Sequence, residues 1–510
     1  MTSSATSSRR SLPGWAWRSK RPTSTSTRRS SPPWPREPTS RRAHLTSIPS
    51  ISSRSSSPSA ARSTWSCRTT SLRSSAPCEP SPPISASRVP STRARPSLRR
   101  PTTGPAVRIL ITGVGLLSPI GNSFTEFSDS LRNGDSGFAP ITAFDTTEFP
   151  YDRGAIISEA PDAFEAFVAN RPGWETAQHY GAFCASRALA DAGLSSEDLD
   201  PFRTAVVVAS SNAGVETNQA YAEQSLAGTL ETGATIVRTP GTVAASIRSE
   251  FGLRGPQASV STACAAGSNS VGLACDLIAA GHADLALAGG AEPFSMLSYS
   301  GFTLLKSLTH DALRPFDELR DGTGLGEAAC MFVLESEASA LARGASVYGE
   351  VAGYGLSDDA HHATAPDPSG RGAELAIRQC LEQAGVLPAD VDYVNAHGTG
   401  TRYNDVMELT ALRSVFGDGL RAIPVSSTKP LHGHTLSCAG SIELLACLAA
   451  MDGDFVPGNF GLREAMSGFE DLELPTRTLE DHRVDVAIST SFGFGGNNTC
   501  IAVRSFRPPA

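Results

Sequence analysis

The chain has 510 residues, enough for more than one hydrophobic core, and its formal net charge of −8 hides two unlike segments. Residues 1–100 carry 19 basic and 2 acidic side chains, whereas residues 101–510 carry 24 basic and 49 acidic ones. The acidic body argues against a nucleic-acid ligand, which needs a basic face. Ten scattered cysteines without C-x-x-C pairs argue against a disulfide framework or zinc site and for a reducing compartment, and no run of eighteen consecutive apolar residues predicts a membrane span.

Residues 1–104 are dominated by Ser, Arg, Pro and Thr and show no apolar period, so the segment is expected to be a disordered leader. Three origins fit it: upstream sequence read from a mis-assigned start, a genuine disordered leader, or an organellar transit peptide. The next methionine after Met1 is Met296, so a body beginning near Val107 would need a non-Met start codon. A mis-assigned start and a cytoplasmic protein are the favoured expectations, with organellar import the minor alternative.

From residue 105 apolar runs alternate with helical periods. Strands are predicted at 107–119, 204–211, 257–260, 284–290, 330–336, 391–398, 422–427 and 484–493, with a further strand pattern around Cys500. Helical patterns occupy 174–193, 263–283, 372–386, 405–417 and 439–451. Apolar strands alternating with helices predict an α/β architecture with both sheet faces covered. The units fall into two sets, residues 105–350 and 351–508. Their identity is too low to establish a repeat from letters alone.

Within "VSTACAAGSNSVG" (260–272), Cys264 follows a strand pattern and opens a helical one that stops at Gly281. A helix N-terminus carries partial positive charge and lowers a thiol pKa below the ~8.5 of free cysteine. The small neighbours leave room for a carbonyl to approach. Three other stretches also follow strands: "NAHGTGT" (395–401) with His397, Thr399 and Thr401; "SSTKPLHGHTLSCAGSIE" (426–443) with Lys429, His432, His434 and Glu443; and "SFGFGGNN" (491–498) with Phe494 between glycines. Sites in α/β sheets collect at strand C-terminal ends, which predicts that these stretches meet.

Cys264 in "TACAAGS", His397 in "NAHGTGT", Lys429 and His434 in "STKPLHGH", and "FGFGGNN" resemble the motif set of β-ketoacyl-[acyl carrier protein] synthases. These are elongating, type II-like condensing enzymes of the thiolase-like superfamily. "ITGVGLLSPIG" (111–121), "AGGAE" (288–292), "RPFDELRDG" (314–322), Asp405 and Glu408 match further family stretches, and the resemblance runs from about 107 to 505. It implies two similar βαβαβαββ halves in a five-layer αβαβα sandwich. It also implies a decarboxylative Claisen condensation between an acyl-enzyme thioester and malonyl carrier protein, in fatty acid or polyketide/aryl-polyene-type biosynthesis.

By that resemblance Cys264 is the nucleophile, and His397 and His434 stabilise the enolate. The backbone N–H groups of Cys264 and Phe494 form the oxyanion hole. Lys429 pairs with Glu443, a pair expected to orient His434, and Thr399 and Thr401 hold the pantetheine arm. Phe494 gates the acyl pocket. No cofactor is expected, since substrates ride on the phosphopantetheine of acyl carrier protein, and a basic patch is expected at the entrance.

The implied assembly is a homodimer, with a heterodimer with a homologous subunit the alternative. His432 and His434 at i and i+2 have no nearby carboxylate ligands, so no metal is expected. The sequence departs from the family in "GEAAC" (326–330), "RYND" (402–405), His432 and Asn497. The rival readings are a catalytically silent chain-length factor, which would lack the nucleophile, and a degradative thiolase, which would want a second catalytic cysteine near the C-terminus. Cys500 lies in an apolar strand pattern and reads as core.

Overall fold

The computed structural model describes residues 107–230 and 238–507; the expected leader, 1–104, lies outside the described residues. Ten strands form one mixed sheet: β1 (Ile109–Leu117), β2 (Thr204–Ala209), β3 (Gln257–Val260), β4 (Leu285–Glu292), β5 (Ala328–Ser336), β6 (Gly349–Asp358), β7 (Tyr393–Asn395), β8 (Val425–Ser426), β9 (Val486–Gly493) and β10 (Asn497–Arg504). Their spatial order is β8-β7-β9-β10-β6-β1-β5-β4-β2-β3.

The order reads as one five-strand pattern used twice. In each half the first strand pairs antiparallel with the fifth, the fifth antiparallel with the fourth, the fourth parallel with the second, and the second parallel with the third. The halves join where β1 meets β6 antiparallel, through Ile109↔Val351, Leu110↔Glu350 and Ile111↔Gly349.

Helices α1 (Thr176–Asp191), α2 (Gly241–Glu250), α3 (Ala266–Ala279), α4 (Arg371–Ala384), α5 (Arg402–Phe416) and α6 (Ala439–Gly453) complete the layers. In chain order each half runs βαβαβαββ, as expected. Helices α1 and α2 pack on the outer face of the first half, and α4, with α5 against it, covers the outer face of the second. Helices α3 and α6 pack against each other between the halves. The result is the expected αβαβα sandwich.

The run Leu436–Gly453 has a mean hydropathy of 1.4 and passes for a membrane span by length and composition, but 89% of it is buried in the protein. It is the central core helix α6 with the turn that precedes it. Every side chain from Ala439 to Ala450 is buried, as a helix sandwiched on all sides requires.

Strand β6 escapes the sequence patterns because Gly349, Gly353 and Gly355 interrupt its apolar run. The structure explains two of them. A β-carbon on Gly353 or Gly355 would overlap the α4 backbone at Ala384, Cys380 and Ala376. In the first half Gly113 and Gly115 of β1 make the same close approach to Ala188 and Cys184 of α1. Each half thus lays its first helix directly on a G-x-G in its first strand.

Candidate active site

Cys264 sits in a 3-10 turn, Ala263–Ala265, that leads from β3 into α3. Ala263 takes φ +49°, a left-handed conformation unusual for a residue with a side chain, and this kink turns the thiol inward. Cys264 is only 6% exposed. Burial pushes its thiol up to about 12, and the Lys429 ammonium offsets this in part. The expectation of a lowered thiol pKa is therefore corrected. Desolvation of a fully enclosed thiolate outweighs the turn's dipole, so the resting thiol is neutral. Its proton has an acceptor at hand, since His434 Nε2 lies 3.0 Å from Cys264 Sγ.

His397 follows β7, and Gly398 (φ +37°) and Gly400 (φ +73°) reverse the chain behind it. The turn is gripped by carboxylates from the first turns of α5. Glu408 accepts the backbone N–H groups of His397 (2.7 Å) and Gly398 (2.8 Å) and the Thr490 hydroxyl (2.6 Å). Asp405 accepts the N–H groups of Gly400 (3.2 Å) and Phe316 (2.8 Å). Burial raises the Glu408 carboxyl to about 7 despite these donors.

Lys429 and Glu443 are fully buried and form an ion pair. Lys429 also donates to the His397 carbonyl and, at 3.2 Å, to His397 Nδ1. The pair was expected to orient His434; it orients His397 instead, because Lys429, in the short helix Lys429–His432 after β8, reaches the His397 ring and carbonyl while Glu443 of α6 holds its ammonium. An ammonium has no acceptor, so Nδ1 of His397 must accept, which puts the proton of the neutral ring on Nε2. Burial and the Lys429 ammonium hold both His397 and His434 well below the ordinary histidine range, with His434 adding to the effect on His397 and His432 to that on His434. The two rings stand edge to face with centroids 5.3 Å apart. Nδ1 of His434 is buried with no hydrogen-bond partner among the described residues.

His432 is not part of this group. Its Nδ1–H donates to Gly433 O (2.8 Å) and its Nε2 accepts from Thr428 (2.9 Å), while burial holds its pKa down at about 3. The close trio is instead Cys264, His397 and His434, whose sulfur and ring nitrogens lie within 4.8 Å of one another.

A cavity of about 100 Å³ opens over the trio, with Thr399 and Thr401 on its wall, their hydroxyls 2.9 Å apart. Phe494 begins the turn Phe494–Gly496, where Gly495 and Gly496 take φ +86° and +87°. Its ring stacks on Phe302 at 5.5 Å, and Phe302 meets His434 edge-on at 6.2 Å. Asn497, one of the departures, donates Nδ2–H to Phe494 O at 3.0 Å and so ties down the turn that Phe494 begins.

Sequence reasoning missed Phe302, Phe492, Asp359, Tyr403 and Asn498, which also line the cavity. Phe302 sits in an apolar helix, Met296–Leu304, whose letters do not distinguish a pocket wall from core. Tyr403 left a usable signal, a large aromatic in "RYND" that is 73% exposed.

The sequence matches the profile "Beta-ketoacyl synthase, N-terminal domain" over residues 106–340 and "Beta-ketoacyl synthase, C-terminal domain" over 348–463. The chain belongs to the β-ketoacyl synthase family. The 3-oxoacyl-[acyl-carrier-protein] synthase 2 of Synechocystis sp. is 35% identical over 424 residues, 78% of this chain and 98% of that protein. Nodulation protein E of Rhizobium sp. is 35% identical over 404 residues, 78% and 99% respectively. Among solved structures, the ishigamide ketosynthase/chain length factor superposes with a TM-score of 0.74 at 33% identity, over 79% of this chain and 100% of that one. A β-ketoacyl synthase from Burkholderia phymatum gives 0.71 at 30% identity with the same coverage. This β-ketoacyl synthase is thus an acyltransferase of the condensing class, with a thiolase-like fold, acting in fatty acid or polyketide synthesis.

Proposed function

We propose that Cys264 takes the acyl chain as a thioester and that His397 and His434 drive decarboxylation of malonyl carrier protein. The observation that carries this is the contact of Cys264 Sγ with His434 Nε2 beside a His397 ring whose tautomer Lys429 fixes. In the first half-reaction His434 Nε2 accepts the thiol proton as Sγ attacks the acyl carbonyl. The proton then leaves with the departing carrier thiol. In the second, the malonyl C–C bond breaks, CO₂ leaves and its electron pair forms an enolate.

His397 Nε2–H donates to the enolate oxygen, which is stabilisation at the place where charge develops. Among the described residues no partner fixes Nδ1 of His434, so its ring serves either tautomer: acceptor toward the thiol, donor toward the enolate. The enolate carbon then attacks the Cys264 thioester. The C–S bond breaks, its electron pair leaves with Sγ, and the thiolate takes up a proton from water. The N–H groups of Cys264 and Phe494 are the donors for the tetrahedral oxyanion. Gly493 supports this assignment, since its position brings the gate strand against the Cys264 backbone: a β-carbon there would lie 3.1 Å from Cys264 N.

The mouth supports delivery by a carrier protein. Thr399 and Thr401 line the channel where a pantetheine arm would lie, and the exposed cations Lys306 and Arg402 flank pocket-lining Ser307 and Thr401. The edge strand β3, with alternating exposed and half-buried residues, supports a dimer joined edge to edge with a second copy or a homologous subunit. All eight cysteines among the described residues are free, which supports a cytoplasmic location.

The test is intact-mass analysis after incubation with acyl- and malonyl-carrier protein. A single acyl adduct that Cys264→Ala abolishes is expected, with Cys264→Gln still releasing CO₂ from malonyl carrier but forming no β-ketoacyl product. Acylation that survives Cys264→Ala would refute the assignment.

A further inference from the structure

A second cavity, of about 200 Å³, is lined by Phe144, Asn212, Gln219, Phe294 and Met296 among others. The helix Met296–Leu304 runs from it to the active site: Met296 lines this cavity, while Phe302 lines the catalytic one. Between them on the same helix, Ser298 donates its hydroxyl to Asn212 Oδ1 at 2.6 Å. Asn212 is 5% exposed, and its backbone N–H is held by Glu292 Oε1 at 2.7 Å. Neighbouring Ser211 bonds Ser437, on the turn that follows His434.

Resting on the condensing reading above, we infer that the acyl chain on Cys264 passes Phe302 into this second cavity, whose Asn212 amide, held by Ser298, selects a conjugated chain over a saturated one. A saturated chain would be served best by a purely apolar lining, and this lining is of another kind. One side is aromatic, with Phe144 and Phe294 stacked at 6.0 Å and 15° and Tyr299 within 5.8 Å of both. The other is polar, formed by the Asn212 amide with Gln219 and the exposed Glu216. An amide nitrogen carries two hydrogens, and Pro293 O takes one, at 3.1 Å.

When an acyl chain fills the cavity and expels water, the second Nδ2–H must find what it can on that chain. Methylene groups offer nothing, and a buried donor without a partner is costly. The π-face of a conjugated segment accepts an N–H and packs against aromatic rings. A flat, torsionally restricted chain also surrenders less conformational freedom on being held against the aromatic rings. Sites that hydrogen-bond a substrate discriminate more sharply than apolar pockets do, so a preference of about tenfold or more is expected.

The probes are the N-acetylcysteamine thioesters of octanoic acid and octa-4,6-dienoic acid, whose double bonds lie away from the reacting carbonyl. Their rates of Cys264 acylation are read by intact mass on the full chain. The dienoyl thioester should load about tenfold faster, Asn212→Leu should bring the ratio to about one, and Ser298→Ala should lower it at least threefold. Where Asn212→Leu does not fold, Ser298→Ala carries the test. Equal loading by the unmodified protein, or a ratio that the variants leave unchanged, overturns the inference while the condensing reading stands. Loading of neither thioester overturns both.

Discussion

Replacing Lys429 with methionine removes the cation that faces Glu443 in a site from which water is excluded. Both side chains are fully buried, and breaking such a pair by deleting one partner costs about 3–5 kcal/mol, because the other charge is left uncompensated. Glu443 already stands at about 7 with Lys429 beside it, since burial outweighs the ammonium's pull. Without Lys429 its carboxyl rises further. For an acid raised on folding, stability falls as pH climbs from the unfolded pKa, about 4.3, to the folded one, at about 1.4 kcal/mol per pH unit.

The intact protein completes that loss near pH 7, whereas the variant continues to lose stability above it. The deficit of Lys429→Met, read from urea midpoints, should therefore widen above pH 7 by about 1.4 kcal/mol per unit. Lys429→Met/Glu443→Gln should abolish the widening and recover most of the stability, a coupling that a double-mutant cycle measures directly. Malonyl decarboxylation should stay lost in the double variant, because His397 Nδ1 has no donor to fix its tautomer. A deficit equal at all pH values, or a double variant that decarboxylates normally, would refute the reasoning.

His397→Ala and His434→Ala should each accept an acyl group on Cys264 yet release CO₂ at least about 10²-fold more slowly, as expected when a donor to a developing oxyanion is removed; normal CO₂ release from both would contradict their roles. Because both imidazoles titrate well below the usual histidine range, decarboxylation by Cys264→Gln should be flat from neutral pH down through 6.5. An acid limb centred at 6.5 in the rate profile would show that a solvated histidine governs the step. Gly115→Ala and Gly355→Ala should each destabilise the fold by several kcal/mol, on the order of other overpacked sites, because the new methyl meets helix backbone; unchanged denaturation midpoints would argue against those close approaches.

The chemistry was legible because glycine and histidine sit at fixed offsets after apolar strands. Strands β1, β2, β4, β5 and β9 showed themselves by their buried runs, while the candidate site residues follow the ends of β3, β7, β8 and β9. Strand β6 was hidden by the glycines that let α4 lie on it. The same glycines were the missing evidence of duplication: "ITGVGL" (111–116) and "VAGYGL" (351–356) are one device written twice. The state of the thiol could not be read from letters, because helix-end chemistry is local while enclosure depends on residues as distant as Phe302, His434 and Phe494. Lys429 was assigned its partner correctly and its target wrongly, since sequence order does not say which of the two histidines it meets.

The joint between β1 and β6 spans three residue pairs. The Cys264 sulfur, the proposed nucleophile, belongs to the half on one side of it, and His397, His434, Lys429 and Phe494 belong to the half on the other. Neither unit can turn over alone, and small changes at the seam alter the alignment of every reacting atom together. The division also separates two kinds of adaptation. On the proposed roles, loops of the first half can be reshaped to suit a new acyl tail while the histidines proposed to drive decarboxylation, housed in the second, are left untouched.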